Sequence, residues 1–236
     1  MSDTLTWLVT GTSRGIGLEF VKQLLDSPTN VVIAACRNPD KAIALTELKN
    51  STQGSLYVVQ LDTSSVPSIE AVVPTIRDIV GDRGLDYLIN NAGVNVGADT
   101  AFNFEVTDLI DTFTTNVLGP AHLAQVLLPL IEQSQKKFIL NFSSGLASMG
   151  LNHAPVNATY SISKTAVGML THKQAKAKPE LTVIAVDPGW VKTDMGGPRA
   201  VMEPWESVEA ILKLVARSTA EVSGKFFLYD GKELPW

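Results

Sequence analysis

Short apolar runs alternate with stretches of helical periodicity along the whole sequence, and this alternation limits the fold more than any other feature. Each run is continuously apolar, as expected of strands that are buried on both faces of a sheet. Strands that alternate with helices form a parallel sheet covered on both sides. The predicted strands are Leu5–Thr10, Val31–Cys36, Leu56–Leu61, Leu85–Asn90, Lys137–Phe142, Leu181–Val186 and Lys225–Leu228.

Cap and turn residues indicate where the helices between these strands begin and end. Ser64 or Ser65 can cap the third helix, whereas Pro74 lies inside its apolar pattern and should kink or shorten it. The other helical patterns cover residues 41–49, Leu109 to Leu130, Tyr160 to about Lys178, and Val208 to Val215.

Length and composition fit one globular domain. The 236 residues could form one large α/β domain or two small ones, and the unbroken alternation favours a single doubly wound domain over residues 1–236. Apolar residues make up 45% of the chain, and the net charge of -5 offers no basic excess for a nucleic-acid backbone. We therefore expect no nucleic-acid partner.

Cys36 is the single cysteine, which excludes an internal disulfide framework and suits a reducing compartment. The segment Met1–Thr4 has no positive region, and the apolar run after it is too short for a signal sequence or a membrane span. We expect a cytoplasmic protein with no membrane partner. His122, His153 and His172 are dispersed without metal-ligand spacing, so we predict no metal site.

A glycine-rich turn follows the first predicted strand. Its glycines let a pyrophosphate approach the backbone, and the helix beyond it presents N–H groups and the positive end of its dipole. The spacing G-x-x-x-G-x-G differs from the G-x-G-x-x-G dinucleotide fingerprint, but its place after the first strand favours the same function. The candidate cofactor contacts here are Gly11, Ser13, Arg14, Ile16 and Gly17.

The end of the second strand indicates which dinucleotide is preferred. An acidic residue at this point would bind the ribose 2′-hydroxyl of NAD, but the chain has Cys36 followed by Arg37. A guanidinium suits the 2′-phosphate of NADP, and Arg14 could supply a second cation. Either arginine alone is equally well explained as a solvated loop charge, whereas the two together predict NADPH or NADP⁺ in preference to NAD.

Polar and small residues follow three further strands, at the edge where such sheets bind ligands. Asp62 could accept a hydrogen bond from the adenine amino group, and the segment after strand four lets the cofactor lie against the backbone. The Pro-Gly turn after strand six can present backbone groups to the nicotinamide amide, although each segment could also be a simple turn. The candidates are Asp62, Thr63, Asn90, Asn91, Ala92, Gly93, Pro188, Gly189, Val191 and Thr193.

Tyr160 and Lys164 are four residues apart, which places them on one face of a helix. A neighbouring ammonium would lower the pKa of the phenol and make Tyr160 a general acid, although the same spacing on an exposed helix often has no function. Ser143 or Ser144, after strand five, could share a substrate carbonyl oxygen with Tyr160. Asn116 lies in an apolar helix pattern and needs a partner, such as a water leading to Lys164.

Together these segments resemble the short-chain dehydrogenase/reductase family over essentially the full length of the chain. The resemblance implies an α/β Rossmann fold, with a doubly wound parallel sheet of seven strands in the order 3-2-1-4-5-6-7, and a nicotinamide cofactor. It also implies a catalytic tetrad of Asn116, Ser144, Tyr160 and Lys164, in which Ser144 is preferred because the family's serine is usually the second of such a pair. Tyr160 and Lys164 would also contact the cofactor.

Two segments are similar to a narrower group, the sniffer-type carbonyl reductases and the fungal norsolorinic-acid-type ketoreductases. These are Pro188–Gly197 and the ending Leu234–Trp236. The prediction is an NADPH-dependent carbonyl reductase that transfers hydride to a ketone or aldehyde, with Tyr160 as the proton donor. The alternatives are an NADP-binding regulatory or redox-sensing protein with little turnover, and an NADP-dependent alcohol dehydrogenase that works in the oxidative direction.

A short lid around residues 195–205 is expected to cover the substrate. With Asn95–Phe104 and Leu151–Val156 it should form a mostly apolar pocket for a small apolar or aromatic carbonyl compound. The interval from Ser144 to Tyr160 is a few residues longer than is typical of the family, which affects this wall. The helices of Asn116 and Tyr160 form the family's usual dimer face, and the sequence leaves open whether a homodimer forms.

Overall fold

Parallel strands need crossover connections, and in the described residues an α-helix lies between every two successive strands. The computed structural model describes residues 4–49 and 52–236. Residues 1–3 and 50–51 of the predicted domain lie outside the described residues. The strands found are β1 (Leu5–Thr10), β2 (Asn30–Cys36), β3 (Ser55–Gln60), β4 (Tyr87–Asn90), β5 (Phe138–Phe142), β6 (Thr182–Asp187) and β7 (Phe226–Leu228).

These strands form one sheet in the order β3-β2-β1-β4-β5-β6-β7, and every pair of neighbours is parallel. The predicted fold class and strand order are therefore confirmed. The α-helices among the described residues are α1 (Gly15–Leu24), α2 (Ile43–Leu48), α3 (Val66–Val80), α4 (Val106–Phe113), α5 (Gly119–Gln133), α6 (Ala158–Ala177) and α7 (Pro204–Arg217).

Successive side chains of each strand enter two separate cores, because a strand points alternate residues to opposite faces of the sheet. Trp7 and Val9 of β1 pack on the face that carries α1 and α7, whereas Leu8 packs on the face that carries α3 and α5. All three side chains are buried. Burial on both faces explains why these strands are continuously apolar in the sequence. No helix within residues 4–49 and 52–236 is long and apolar enough to cross a membrane.

The long helix predicted from Leu109 to Leu130 is interrupted. Between α4 and α5 the chain makes a π-helical turn at Thr114–Leu118, and Asn116 lies in the middle of this turn. Single π turns inside helices are often found at functional sites. The interruption moves Asn116 out of the regular α-helical register that its apolar neighbours predict.

Of the two effects predicted for Pro74, a kinked or a shortened third helix, the shortening is not found. Helix α3 continues through Pro74 to Val80, and Ser65 caps its start by accepting a hydrogen bond from the backbone N–H of Ser68. Pro74 itself is exposed. Packing of the opposite face keeps the helix continuous although Pro74 has no N–H to donate to Glu70. The buried residues of that face are Ile69, Val72, Ile76 and Val80.

We expect Pro74→Ala to stabilise the protein. The substitution restores one helical hydrogen bond and removes the steric conflict of the ring, and the greater freedom of the unfolded chain offsets part of this gain. The free energy of unfolding in urea should rise by about 1–2 kcal/mol. Arg77→Ala, at another exposed position of α3, should change it by less than about 0.5 kcal/mol. A loss of stability in Pro74→Ala would contradict this account of α3.

Candidate active site

The carboxyl ends of the parallel strands meet at one edge of the sheet, where they form a cleft of about 650 Å³. This is the edge at which open α/β sheets bind ligands. The cleft brings together most of the predicted cofactor residues, namely Gly11, Ser13, Arg14, Ile16, Gly17, Arg37, Asp62, Thr63, Asn91, Ala92, Gly93, Tyr160, Lys164, Pro188 and Thr193. A separate depression of about 620 Å³ between α1 and α7 contains none of the predicted site residues except Trp205 of the proposed lid.

The glycine-rich turn is packed directly against the segment that follows β4. Thr10 accepts hydrogen bonds from the backbone N–H groups of Asn91 and Ala92 through its hydroxyl oxygen, at 3.1 and 3.0 Å. A side chain at Gly11 would lie 2.9 Å from the Cα of Ala92, and a side chain at Gly17 would lie 2.3 Å from the Gly11 carbonyl oxygen. Glycine is therefore required at both positions for this packing.

The N-terminus of α1 is arranged to receive an anion. Its N-cap residue, Arg14, provides no side-chain hydrogen bond to the first turn, and no acidic residue lies in that turn. Gly15, Ile16 and Gly17 of the same turn line the cleft. Free N–H groups at the positive end of a helix dipole suit a phosphate, so this end of the cleft fits the pyrophosphate of a dinucleotide.

Three cations line the cleft near the end of β2: Arg14, Arg37 and Lys41. Lys41 was not predicted, but it comes four residues after Arg37, across a turn that begins at Asn38. Arg14 forms an ion pair with Asp194, with 3.0 Å between Nη1 and Oδ2, and both side chains are about three-quarters exposed. Such an exposed pair is weak, so Arg14 can change partners at little cost.

Asp62 lies at the end of the cleft beyond β3. Its Oδ1 accepts hydrogen bonds from the hydroxyl and the backbone N–H of Ser64, at 2.6 and 3.0 Å. Burial alone would raise the pKa of Asp62, but the bonds from Ser64 and the positive charge of Arg37 together lower it. Asp62 is therefore ionised at neutral pH and acts as an acceptor, as the adenine hypothesis requires.

Helix α6 holds Tyr160 and Lys164 on the face that it turns toward the cleft. The ammonium nitrogen of Lys164 lies 5.6 Å from the centroid of the Tyr160 ring. It donates a 2.7 Å hydrogen bond to the carbonyl oxygen of Phe142, the last residue of β5. Lys164 is buried, with 4% of its surface exposed, so the hydrogen bond to Phe142 determines the position of the ammonium group.

The pKa values of this pair differ from the prediction. Burial raises the pKa of Tyr160 above its usual value, the negative charge of Asp187 raises it further, and a hydrogen bond with Ser144 opposes these effects. Burial also lowers the pKa of Lys164 to about 8. The expected lowering of the Tyr160 pKa is therefore wrong for this structure, because desolvation disfavours both the phenolate and the ammonium that would stabilise it.

Asp187 connects two of the turns that border the site. Its Oδ2 accepts a 2.8 Å bond from the Gly145 N–H, and its Oδ1 accepts a 2.9 Å bond from the Gly189 N–H. Gly145 follows Ser144 directly, so the carboxylate fixes the backbone of the serine turn relative to the end of β6. Burial raises the pKa of Asp187, while these two bonds and the nearby His153 lower it. The sequence analysis gave Asp187 no role.

Asn116 is buried, and its amide bonds to two other parts of the chain, while the predicted contact with a water stays a prediction. Its Oδ1 accepts from the Val94 N–H at 2.8 Å, and its Nδ2 donates to the Val94 carbonyl oxygen at 2.9 Å and to the Ser163 hydroxyl at 3.0 Å. Both amide hydrogens are therefore used within the protein. A side chain at Gly93 would approach both Asn116 and Lys164, so Asn116 nevertheless lies beside the lysine.

Three predicted cofactor residues do not line the cleft. Asn90 is buried and donates a 2.9 Å hydrogen bond to Oδ1 of Asn141. Asn141 in turn bonds to Thr171 of α6, so the Asn90 side chain points into the face of the sheet that α6 covers. Val191 is buried, and Gly189 lies against the ring of Tyr229. The backbone groups of Gly189 and Val191 belong to the Pro-Gly turn after β6, and Pro188 of the same turn lines the cleft.

Several cleft residues were missed by the sequence analysis. Some of them are sequence neighbours of predicted residues at the strand ends. Others lie on α1 three, four or seven residues after Gly15, so helical spacing could have predicted them. The missed residues are Leu18, Glu19, Lys22, Cys36, Asn38, Lys41, Leu61, Ser64, Val94, Thr115, Phe142, Lys192 and Asp194. No group of three or more His, Cys, Asp or Glu side chains suited to a metal ion occurs in the described part of the chain.

A model of the short chain dehydrogenase family matches residues 6–203, which include every cleft residue except Pro204 and all four residues of the predicted tetrad. The chain belongs to the short-chain dehydrogenase/reductase family. Family membership makes it an oxidoreductase with a nicotinamide cofactor. The glycine turn, the uncapped start of α1 and the strand-end segments fit such a cofactor in this structure.

Similar members of this family include several ketone and carbonyl reductases. The norsolorinic acid ketoreductase of Aspergillus parasiticus is 32% identical over 98% of this chain and 90% of that protein. The solved structure of the carbonyl reductase Sniffer of D. melanogaster is 29% identical, covers 99% of both chains and has a TM-score of 0.93. The NADPH-bound carbonyl reductase from chicken fatty liver is 34% identical over 98% of both chains, with a TM-score of 0.91. The resemblance drawn from the sequence is confirmed.

We expect the stability contribution of Lys164 to depend on pH. Its folded-state pKa of about 8 lies below the ordinary value of 10.5, so between these values the unfolded chain binds more protons than the folded one. The wild type should therefore gain stability relative to Lys164→Met as the pH rises, by about 2 kcal/mol between about pH 7 and pH 10. Urea unfolding at several pH values measures this difference.

Lys192→Met provides the control for this experiment. Lys192 is exposed, and its pairing with Glu203 raises rather than lowers its pKa. The stability of the wild type relative to this variant should show no rise over the same pH range. A pH-independent difference between the wild type and Lys164→Met would contradict a lowered pKa for Lys164.

Proposed function

We propose that the protein is an NADPH-dependent carbonyl reductase in which Tyr160 protonates the oxygen of a ketone or aldehyde. The observation that carries this proposal is the arrangement at the end of β5, where Tyr160 interacts with Ser144 and lies beside the buried ammonium of Lys164. A phenol, a hydroxyl and a cation at the edge of a dinucleotide cleft are the groups that reduction of a carbonyl requires.

The cofactor is proposed to lie along the cleft from β3 to β6. Asp62 and Thr63 would contact the adenine end, and the start of α1 would bind the pyrophosphate. Lys164 would bind the nicotinamide ribose, and the turn from Pro188 to Thr193 would hold the nicotinamide. When bound, the reduced nicotinamide supplies the hydride for the carbonyl carbon.

A preference for NADPH is supported by the charges near the end of β2. No carboxylate follows Cys36 directly, and Arg37 and Lys41 line the cleft beside it. A 2′-phosphate placed there would meet both cations, and Arg14 could join them by leaving Asp194. The NADPH in the chicken carbonyl reductase, a similar structure, is consistent with this assignment.

Within the tetrad, each side chain has a separate task. Ser144 donates a hydrogen bond to the substrate oxygen, and Tyr160 transfers its proton to that oxygen as the alcohol forms. Lys164, which is largely protonated below its pKa of about 8, favours the phenolate that this transfer leaves. Asn116 holds the Val94 backbone and Ser163 in place, so a water relay through Asn116 would have to use its backbone rather than its amide hydrogens.

The raised pKa of Tyr160 favours the reductive direction. The Tyr160 phenol is protonated at neutral pH, since its pKa lies above an ordinary value that is already about 10, and a proton donor must carry its proton before the reaction. An alcohol dehydrogenase working in the oxidative direction needs the phenolate as a base, so that alternative requires a further change in this environment.

The substrate is proposed to be an apolar or aromatic carbonyl compound. The segments expected to surround it expose large apolar side chains, including Phe104, Leu151, Val156, Met195 and Val201. The proposed lid covers residues 195–203 rather than 195–205, since Pro204 and Trp205 belong to helix α7.

We expect Tyr160→Phe to abolish turnover and to leave NADPH binding intact. The variant keeps the ring but lacks the proton, and loss of a general acid lowers rates by about 10²–10⁴-fold. Steady-state oxidation of NADPH with a panel of ketones and a fluorescence titration of NADPH measure the two effects. Tyr57→Phe, at an exposed position of β3, is the matched control.

Two results would contradict parts of this proposal. Turnover by Tyr160→Phe at the wild-type rate would exclude Tyr160 as the proton donor. Tight NADPH binding by the wild type without turnover of any carbonyl compound would favour the alternative of a regulatory or redox-sensing protein.

We expect Arg37→Asp to shift the cofactor preference toward NADH. The carboxylate would repel a 2′-phosphate and accept a hydrogen bond from a 2′-hydroxyl. The ratio of kcat/KM for NADPH to that for NADH should fall by about tenfold or more. Lys41→Ala should weaken NADPH alone by a smaller factor, and Arg83→Asp, in an exposed turn, should leave the ratio unchanged. An unchanged ratio in Arg37→Asp would remove this residue from the 2′-phosphate site.

A further inference from the structure

Residues 229–236, here called the return segment, run back along the outer edge of β7. Glu233 pairs antiparallel with Phe227, and the Leu234 N–H donates a 2.8 Å bond to the Phe226 carbonyl oxygen. Lys225 and Glu233 form an ion pair at 2.9 Å, and Leu234 is buried. This pairing covers the edge strand of the sheet.

Pro235 and Trp236 contact the chain that follows the active-site serine. The hydroxyl of Ser148 donates a 2.6 Å bond to the Pro235 carbonyl oxygen, and the Gly150 N–H donates a 3.3 Å bond to the Trp236 carbonyl oxygen. A side chain at Gly150 would lie 2.9 Å from the ring of Pro235. The backbone of Gly150 therefore packs against the Pro235 ring at a distance that only glycine allows.

The Trp236 ring lies in a slot between β7 and α6. It stacks on Phe226, with ring centroids 5.3 Å apart and an angle of 20° between the planes. On its other side it covers Gly168 of α6, where an added Cβ would lie 2.5 Å from the indole. Gly168 belongs to the helix that carries Tyr160, so the ring joins the return segment to the catalytic helix.

The segment held in this way is the one expected to form the substrate wall. Residues 145–157, here called the wall segment, connect Ser144 to the start of α6, and all of residues 149–156 are exposed. The segment folds back over its own beginning, because the side chains of Leu151 and His153 approach Gly145. An exposed segment with so little burial has low local stability and depends on the contacts that anchor it.

We propose that Pro235 and Trp236 are positioning residues that hold the wall segment against α6 and so shape the pocket for the carbonyl substrate. This inference rests on the proposed reductase function for its kinetic consequence. None of the return segment lines the cofactor cleft. Its loss should therefore affect binding of the substrate and leave binding of the cofactor unchanged.

The first experiment is the kinetic analysis of Trp236→Ala and Trp236→Phe. In Trp236→Ala the KM for a ketone should rise by about tenfold, with a smaller change in kcat, since a displaced wall costs ordering energy on binding. The Kd for NADPH should stay within about twofold of the wild type. Trp236→Phe keeps a ring to stack on Phe226 and should recover most of the affinity.

Gly168→Ala tests the same contact from the helix side. The added methyl group clashes with the indole and should raise the KM in the wild type, whereas in the Trp236→Ala background it should add nothing. In that background the substitution should even stabilise α6, since alanine is favoured over glycine in a helix by about 1 kcal/mol. A structural role alone predicts changes in Tm that leave the KM of the folded enzyme unaltered, and that result would overturn the proposal.

Hydrogen exchange of the free protein separates this inference from the proposed function. Amides of residues 148–156 should exchange faster in Trp236→Ala and in Gly168→Ala than in the wild type, whether or not any ketone is reduced. If exchange is unchanged in both variants, the positioning role is wrong even if the enzyme is a reductase. If exchange increases but no carbonyl compound is turned over, the contact stands and the reductase assignment fails.

Discussion

The attachment of α6 to the end of β5 is the interaction on which the rest of the active site depends. Lys164 donates to the Phe142 carbonyl oxygen, and the Ser143 hydroxyl donates to the Lys164 carbonyl oxygen at 3.2 Å. Two bonds in opposite directions between the same strand end and the same helix turn prevent the helix from sliding. Further along, Asn141 of β5 donates to Thr171 of α6 at 3.0 Å. Tyr160 is thereby held opposite the serine turn.

This attachment has an electrostatic consequence, because it places an ammonium in the interior with a carbonyl oxygen as its hydrogen-bond acceptor. Desolvation lowers the pKa of Lys164 to about 8 and, with the charge of Asp187, raises the pKa of Tyr160. At neutral pH the lowered pKa of Lys164 costs folding free energy, whereas the raised pKa of Tyr160 costs none, because the phenol is neutral in both the folded and the unfolded chain. A neutral phenol is the state that the proposed proton donor needs. Burial of this pair therefore lowers the stability of the fold through Lys164 and keeps Tyr160 in the form of a general acid.

Sequence reasoning found the strands and the cofactor edge because both depend on local patterns. Burial on both faces makes each strand continuously apolar, and β1 has the bounds that its apolar run predicts. Parallel strands put all their carboxyl ends on one edge, so residues such as Asp62 and Asn91 converge although they are far apart in sequence. The family resemblance then added the strand order, which periodicity alone does not determine.

The predictions that failed concern interactions between distant segments. Pro74 looked like a helix breaker because propensity is local, whereas the packing of α3 against the sheet decides the outcome. The partners of the Asn116 amide, which the sequence analysis did not name, are Val94 and Ser163, 22 and 47 residues away. The pKa of Tyr160 depends on burial and on Asp187 at the end of β6. No spacing in the sequence reports these neighbours.

The residues proposed for the reaction are positioned by local contacts, whereas those proposed to shape the substrate pocket are positioned by contacts between distant segments. The residues proposed to bind the cofactor and to move the proton lie within a few residues of a strand end or on one helix turn, so their motifs can be recognised in the sequence. The serine turn and the wall beyond it are instead fixed by Asp187, 42 residues from Gly145, and by Pro235, 87 residues from Ser148. Substitutions in these distant anchors can reshape the pocket without touching the tetrad. The motifs of the proposed reaction can thus be read from the sequence, whereas the shape of the proposed substrate pocket depends on how the distant segments pack.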